Sequence, residues 1–303
     1  MIFRASVTKI KMRAGTGRGD VTGAALRASR NLMTASRTLT IDDLLAMQRD
    51  GEKIAMLTCY DATFAAAMDR AGVDIILVGD SLGMVVQGRV STVGVSVDDV
   101  AYHTSCVSKG LERTFLLADM PFGSFHNEST AMESAVELLS AGGAMVKLEG
   151  AGPMIDIVHY MTSRGVPVCG HLGLTPQSVN QLGGFKVQAR DEEGAQALLE
   201  DARAMQQAGA QMLVVECIPA ALGKKVSASV DIPVIGIGAG VNCDGQVLVM
   251  HDMLGLGDWA PKFVANFMPG NESIQGAFEA FVLAVREGRF PAKEHEYQGI
   301  ANR

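Results

Sequence analysis

An α/β chain folded as a single (β/α)8 TIM barrel is the class this sequence predicts, and three observations predict it. Eight short apolar runs rich in β-branched residues recur between residues 54 and 252. Stretches of helical periodicity separate them, several closing on glycine. Most runs end in an acid or a histidine. Uninterrupted apolar runs describe strands buried on both faces, as in a parallel sheet covered by helices. Eight strand–helix units in series point to a barrel, with a doubly wound open sheet as the weaker alternative.

The elements follow in order. Thr40 caps a helix over 41–50 ahead of the first run, IAMLT (54–58). Next come DIILVGD (74–80), TFLLAD (114–119), AMVKLEG (144–150), VPVCGH (166–171), AQMLVVE (210–216), IPVIGIG (232–238) and QVLVMHD (246–252). Between them, Met132, Val136 and Leu139 mark one helix face. Met154, Ile157, Val158 and Met161 mark a second, and Leu198, Leu199, Ala202 and Met205 a third. Gly72, Gly110, Gly142, Gly165 and Gly209 precede the next strand, where a left-handed helix stop favours a residue without Cβ. Asn271 opens a last helix that Gly288 stops. The segment 172–191 has no clear period, which in a compact domain marks a functional loop or lid.

Bulk properties bound the function. The 303 residues are 48% hydrophobic and 19% charged, with 34 glycines, as in a globular protein rich in tight turns. No apolar stretch is long enough to suggest a membrane span. Residues 1–37 hold eight basic side chains and one acid, Asp20, leaving 18 basic against 32 acidic residues in 38–303. An acidic body argues against a nucleic-acid partner. The basic leader 1–37 stands outside the fold as an expected disordered segment. It suits a transit peptide superficially, but a disordered tail or an upstream start codon with Met33 as the true beginning is the preferred reading, so the expected location is cytoplasmic with an organellar alternative. The five cysteines (59, 106, 169, 217, 243) have no Cys-x-x-Cys or zinc spacing and read as reduced core thiols.

In a barrel, catalytic groups sit where strands end. Here those ends supply Asp80, Asp119, Lys147 with Glu149, His171, Glu216, and His251 with Asp252. Asp80, Asp119 and Glu149 would repel one another unless protonated or bridged by a cation, and hard oxygen ligands favour Mg²⁺. Lys147 and Glu149 are two apart on one strand and share a face, so Lys147 is suited to a substrate carboxylate, a Schiff base or an ion pair with Glu149. Glu216 follows MLVV, and apolar company raises a carboxyl pKa toward proton abstraction. His171 and His251 stand as supporting residues. GIGAG (236–240) lacks a complete dinucleotide-loop spacing and reads as a tight turn.

VGDSLGMVVQG (78–88), AYHT (101–104), LLADMPF (116–122), VKLEG (146–150), VPVCGHLGLTPQSVNQLGGFKVQ (166–188), VVECIP (214–219) and IPVIGIGAGVNCDGQVLVMHD (232–252) together resemble the ketopantoate hydroxymethyltransferase family, over about 38–296. The resemblance implies a homodecameric barrel. It implies an enzyme that uses Mg²⁺ and 5,10-methylenetetrahydrofolate to hydroxymethylate a small 2-oxo acid in pantothenate synthesis. By motif it implies that Asp80 and Asp119 bind the metal with Glu149 in or beside its shell. Asp80, Ser81, Asp119 and Lys147 would hold the oxo acid, and Glu216 would accept the proton. A Mg²⁺-dependent carbon–carbon lyase of the phosphoenolpyruvate/isocitrate lyase type is the alternative, and a catalytically silent metabolite-binding barrel a further one.

Overall fold

Strands β1 (Ile54–Thr58), β2 (Ile75–Val78), β3 (Phe115–Asp119), β4 (Met145–Glu149), β5 (Val168–Gly173), β6 (Met212–Glu216), β7 (Val234–Ile237) and β8 (Gly245–Leu248) pair in parallel in that order and close, β8 returning to β1. This computed structural model describes residues 37–299. The expectations for the leader fall on 1–37, of which 1–36 lie outside the described residues. The compact unit described here begins at Thr38. Every residue of β1 to β4 is buried, the sign of a sheet covered on both faces. Among the described residues no helix is long and apolar enough to cross a membrane.

The helices are α1 (Ile41–Arg49), α2 (Ala62–Ala71), α3 (Leu82–Val85), α4 (Val97–Ser108), α5 (Glu128–Ser140), α6 (Met154–Thr162), α7 (Val179–Leu182), α8 (Glu192–Gln207), α9 (Ala220–Ser227), α10 (Met250–Met253) and α11 (Ile274–Arg286). Local chemistry fixes their starts. Asp61, Ser96, Asn127 and Asp191 each accept a hydrogen bond from a backbone N–H of the first turn, and at α1 the Thr40 hydroxyl and N–H both donate to Asp43 at 2.8 Å.

Four sequence expectations shift. The core face of α5 is Ala131, Ser134, Ala135 and Leu138, and Val136 is 52% exposed: small residues let this helix lie close against the barrel, leaving the larger ones at its flank. Helix α11 is capped by Ser273, whose hydroxyl accepts from Gly276 N–H, whereas Asn271 bonds back to the Phe267 carbonyl. Gly110 does not adopt the left-handed stop; a Cβ there would collide with the Ala62 carbonyl oxygen of α2. Strand β8 ends at Leu248, so His251 and Asp252 lie on α10, where Met250 N–H is held by the Thr58 hydroxyl at 3.0 Å.

Candidate active site

Register between neighbouring strands assembles the site. Asp119 pairs with Lys147, Glu149 with His171, and Gly173 with Glu216, all at the C-terminal edge. Asp80 follows β2 by two residues and its N–H donates to Asp119 Oδ2 at 3.2 Å. Asp80, Asp119, Lys147, Glu149 and His171 are all at most 5% exposed. They form the floor of a cavity of about 820 Å³ that opens at this end of the barrel. Six predicted residues, Asp80, Ser81, Asp119, Lys147, Glu149 and Glu216, line that one cavity.

Lys147 occupies the centre of the acids. Its ammonium donates to both Asp119 oxygens at 2.7 and 2.8 Å and lies 3.6 Å from Glu149 Oε1, so the closer partner is on the neighbouring strand. Burial works against its charge, yet Asp119, Glu149 and Asp80 more than offset that and push its pKa up. Burial raises Asp80, with Glu149 adding to the effect, and raises Glu149 against the pull of Lys147. It raises Asp119 to about 8 in spite of Lys147. One ammonium cannot balance three ionised carboxylates away from water, so the floor lacks positive charge.

That deficit bears on a metal. Among the described residues no three His, Cys, Asp or Glu side chains converge as a ready ligand cage. Mg²⁺ needs no such cage, since it takes one or two carboxylates and keeps several waters. Asp80 and Asp119 offer the hard oxygens, and Glu149 Oε1 and Gln177 Oε1 are buried without a hydrogen-bond partner. The donor chemistry therefore fits a divalent cation at Asp80 and Asp119.

Glu216 closes the floor from β6. Its carboxylate is 3.3 Å from His171 Nε2, and His171 Nδ1 is 3.2 Å from Glu149 Oε1, so the imidazole stands between two acids without hydrogen-bond alignment to either. Burial, helped by Lys147, lowers the His171 pKa and keeps the ring neutral. Burial raises Glu216, opposed chiefly by His171. The backbone of Glu216 is held tightly: its carbonyl accepts from Leu174 N–H at 2.9 Å, and Cys217 takes φ 48°, a rare conformation for a residue with a side chain. Gly173, at φ 88°, permits this, because a Cβ there would strike the Glu216 carbonyl oxygen.

Two contributors escape sequence reasoning. Gln177, in the 3₁₀ turn Pro176–Ser178 after β5, reaches back over the floor. Its N–H donates to Glu149 Oε2 at 3.0 Å, and its side-chain amide donates to Asp80 Oδ2 at 3.0 Å and to the Met120 carbonyl at 2.9 Å. Tyr60 shares a 2.8 Å hydrogen bond with Ser81 Oγ. The aperiodic run 172–191 was the one signal for Gln177; nothing in CYDAT marks Tyr60. His251 packs its ring against Tyr60 at 5.7 Å.

A model of the ketopantoate hydroxymethyltransferase family matches residues 38–293. The chain belongs to the ketopantoate hydroxymethyltransferase family. A 3-methyl-2-oxobutanoate hydroxymethyltransferase of Thiobacillus denitrificans is 54% identical over 260 residues, covering 86% of this chain and 99% of the relative. One of Nitrosomonas eutropha is 53% identical over 264 residues, covering 86% and 98%. Among solved structures, a putative phosphonomutase from Burkholderia cenocepacia superposes with a TM-score of 0.57 at 18% identity over 71% of this chain and 95% of that one. A phosphonopyruvate hydrolase in complex with oxalate and Mg²⁺ gives 0.54 at 13% over 85% and 93%. At these identities the likeness shows the fold alone, and family membership rests on the sequence relatives.

Proposed function

We propose that this member of the hydroxymethyltransferase family converts 3-methyl-2-oxobutanoate to 2-dehydropantoate, with 5,10-methylenetetrahydrofolate as one-carbon donor. The observation that carries the reading is the placement of Glu216: a carboxylate only 13% exposed, with a raised pKa, lining the same cavity as Asp80 and Asp119. Asp80 and Asp119, with Glu149 beside them, would hold Mg²⁺, which when bound would supply positive charge that acidifies the hydrogen next to the 2-oxo group.

The side chains then divide the work. Glu216 removes the C3 proton, and burial favours the neutral acid it becomes. His171, a neutral ring, stands beside that carboxyl with Nε2 3.3 Å from it. Ser81, oriented by Tyr60, donates to the substrate carboxylate, and Lys147 faces it with a buried positive charge. The nucleophilic C3 attacks the methylene carbon of the donor as one of that carbon's two bonds to folate nitrogen breaks; water then displaces the second nitrogen and supplies the product hydroxyl, and the C3 proton and the proton of that water end on the two nitrogens of the departing tetrahydrofolate. The same reading makes the enzyme cytoplasmic, with an organellar location as the alternative, and a homodecamer, which its native mass would check.

The test is product formation from the oxo acid and methylenetetrahydrofolate with Mg²⁺, read as equal yields of tetrahydrofolate and 2-dehydropantoate. Cleavage of the oxo acid with no folate consumed would overturn the reading. Lys147→Ala should raise KM for the oxo acid about tenfold or more, the scale of a lost charge-assisted hydrogen bond; an imine trapped by borohydride would instead give Lys147 a covalent role.

A further inference from the structure

The long loop after β5 is pinned at both ends to the end of β6. Leu174 N–H donates to the Glu216 carbonyl at 2.9 Å, and Gln188 N–H donates to the Cys217 carbonyl at 2.8 Å. Between those pins Gln177 crosses the edge of the barrel, bonding to Asp80 after β2, to Met120 after β3 and to Glu149 on β4.

Its side-chain amide cannot be turned over. Both atoms that meet Nε2, Asp80 Oδ2 and the Met120 carbonyl oxygen, are acceptors, so the reverse orientation would set oxygen against oxygen. That orientation leaves Gln177 Oε1 buried and without a hydrogen-bond partner among the described residues. An unmet buried acceptor is destabilising, so packing alone does not account for this side chain. What the arrangement secures is the two acids: the side chain occupies Oδ2 of Asp80, and the backbone N–H occupies Oε2 of Glu149.

The donor is also neutral. Asp74, just before the same strand, is held by two guanidiniums that balance its charge. An amide fixes the geometry of Asp80 and leaves its charge available to a cation. Gln177 is 4% exposed and lies outside the cavity lining, to which Asp80 and Glu149 belong, so it acts on a ligand through them.

Resting on the Mg²⁺ reading given above, we propose that Gln177 is a positioning residue for the cation site. It fixes which oxygens of Asp80 and Glu149 face the cavity, and it ties the loop after β5 to cation binding.

Gln177→Met keeps the length of the side chain and removes its donors, while the backbone bond to Glu149 stays. Calorimetry on the full-length, metal-free enzyme should show the Mg²⁺ Kd rising about tenfold, the scale of one hydrogen bond to a charged group. Lys186 is exposed in the same loop. Mg²⁺ should slow trypsin cleavage after Lys186 in the wild type and lose most of that effect in the variant. Gln177→Asn, an amide one methylene short, serves where the Met variant does not fold, and should raise the Kd about threefold or more. A purely structural Gln177 would lower the melting temperature in chelator and leave the Mg²⁺ Kd within about twofold of wild type. That result would overturn the proposal. A wild-type enzyme that binds no Mg²⁺ would instead remove the cation reading, and this inference with it.

Discussion

Strand β2 carries an acid at each end, and the two are treated in opposite ways. Asp74, one residue before the strand, is 1% exposed and complete: it accepts from Ala55 N–H at 3.0 Å and from the guanidiniums of Arg113 and Arg286, each at 3.2 Å. Asp80, two residues after the strand, is 4% exposed and incomplete. It shares one ammonium with Asp119 and Glu149, and buried acceptors beside it have no donor. Both acids are equally dry. The difference teaches that burial does not separate a structural carboxylate from a functional one; unmet charge does. At the N-terminal end the protein supplies its own counter-ions, and at the C-terminal end it leaves room for charge brought from outside.

Several measurements would break or sharpen that contrast. The largest effect belongs to Glu216→Gln, which should lower kcat by about 10²–10⁴-fold, the usual contribution of a general base, with oxo-acid binding retained in calorimetry. Because a base acts only when ionised, the wild-type rate should fall as pH drops through a pKa above the ordinary glutamate value, and that acid limb should vanish in the variant. Next is Asp74→Ala. Two guanidiniums would lose their carboxylate, but Arg113 and Arg286 are 23% and 47% exposed and can reach water. The loss should therefore be about 2 kcal/mol, below the roughly 3–5 of a fully buried pair, with kcat unchanged, in denaturant melts and assays run together.

Mg²⁺ supplies the third test. At ten times its Kd it should stabilise the protein by about 1.4 kcal/mol, visible as a rise in Tm that Asp80→Asn abolishes and Asp74→Ala does not. A drift with pH is the last test. Asp119 is raised to about 8, and Asp80 and Glu149 are also raised, so the folded state keeps protons that the unfolded chain releases near pH 4. The stability they confer is complete below the unfolded pKa and lost as pH rises toward 8. Melts in a chelator should show Tm declining across that window, and excess Mg²⁺ should flatten the decline.

Much of this was legible in the sequence. Continuous apolar runs identify barrel strands because such a sheet is buried on both faces, and all eight lie where the runs placed them, with β5 extending to Gly173 and β8 stopping at Leu248. Those two ends were misplaced because a strand stops where its partner stops, and pairing is not written in one run: Leu172 and Gly173 continue opposite Val215 and Glu216. The acids at strand ends were legible because an ionisable group closing an apolar run needs a reason. Gln177 and Tyr60 were not, since each gains its place from a fold-back that joins segments distant in sequence, as when the Gln177 amide meets Asp80. Nor could spacing show that Lys147 would choose Asp119 over Glu149, a choice made by register across β3 and β4.

The most direct test of the central claim is proton NMR of 3-methyl-2-oxobutanoate in D₂O with the enzyme and Mg²⁺, following the C3 hydrogen first without and then with tetrahydrofolate, which has no one-carbon unit to give. The claim predicts that the signal decays through exchange only when Mg²⁺ is present, and that Glu216→Gln abolishes the decay. A persistent C3 signal under both conditions in an enzyme that nevertheless turns over, or equal decay in the variant, would contradict it.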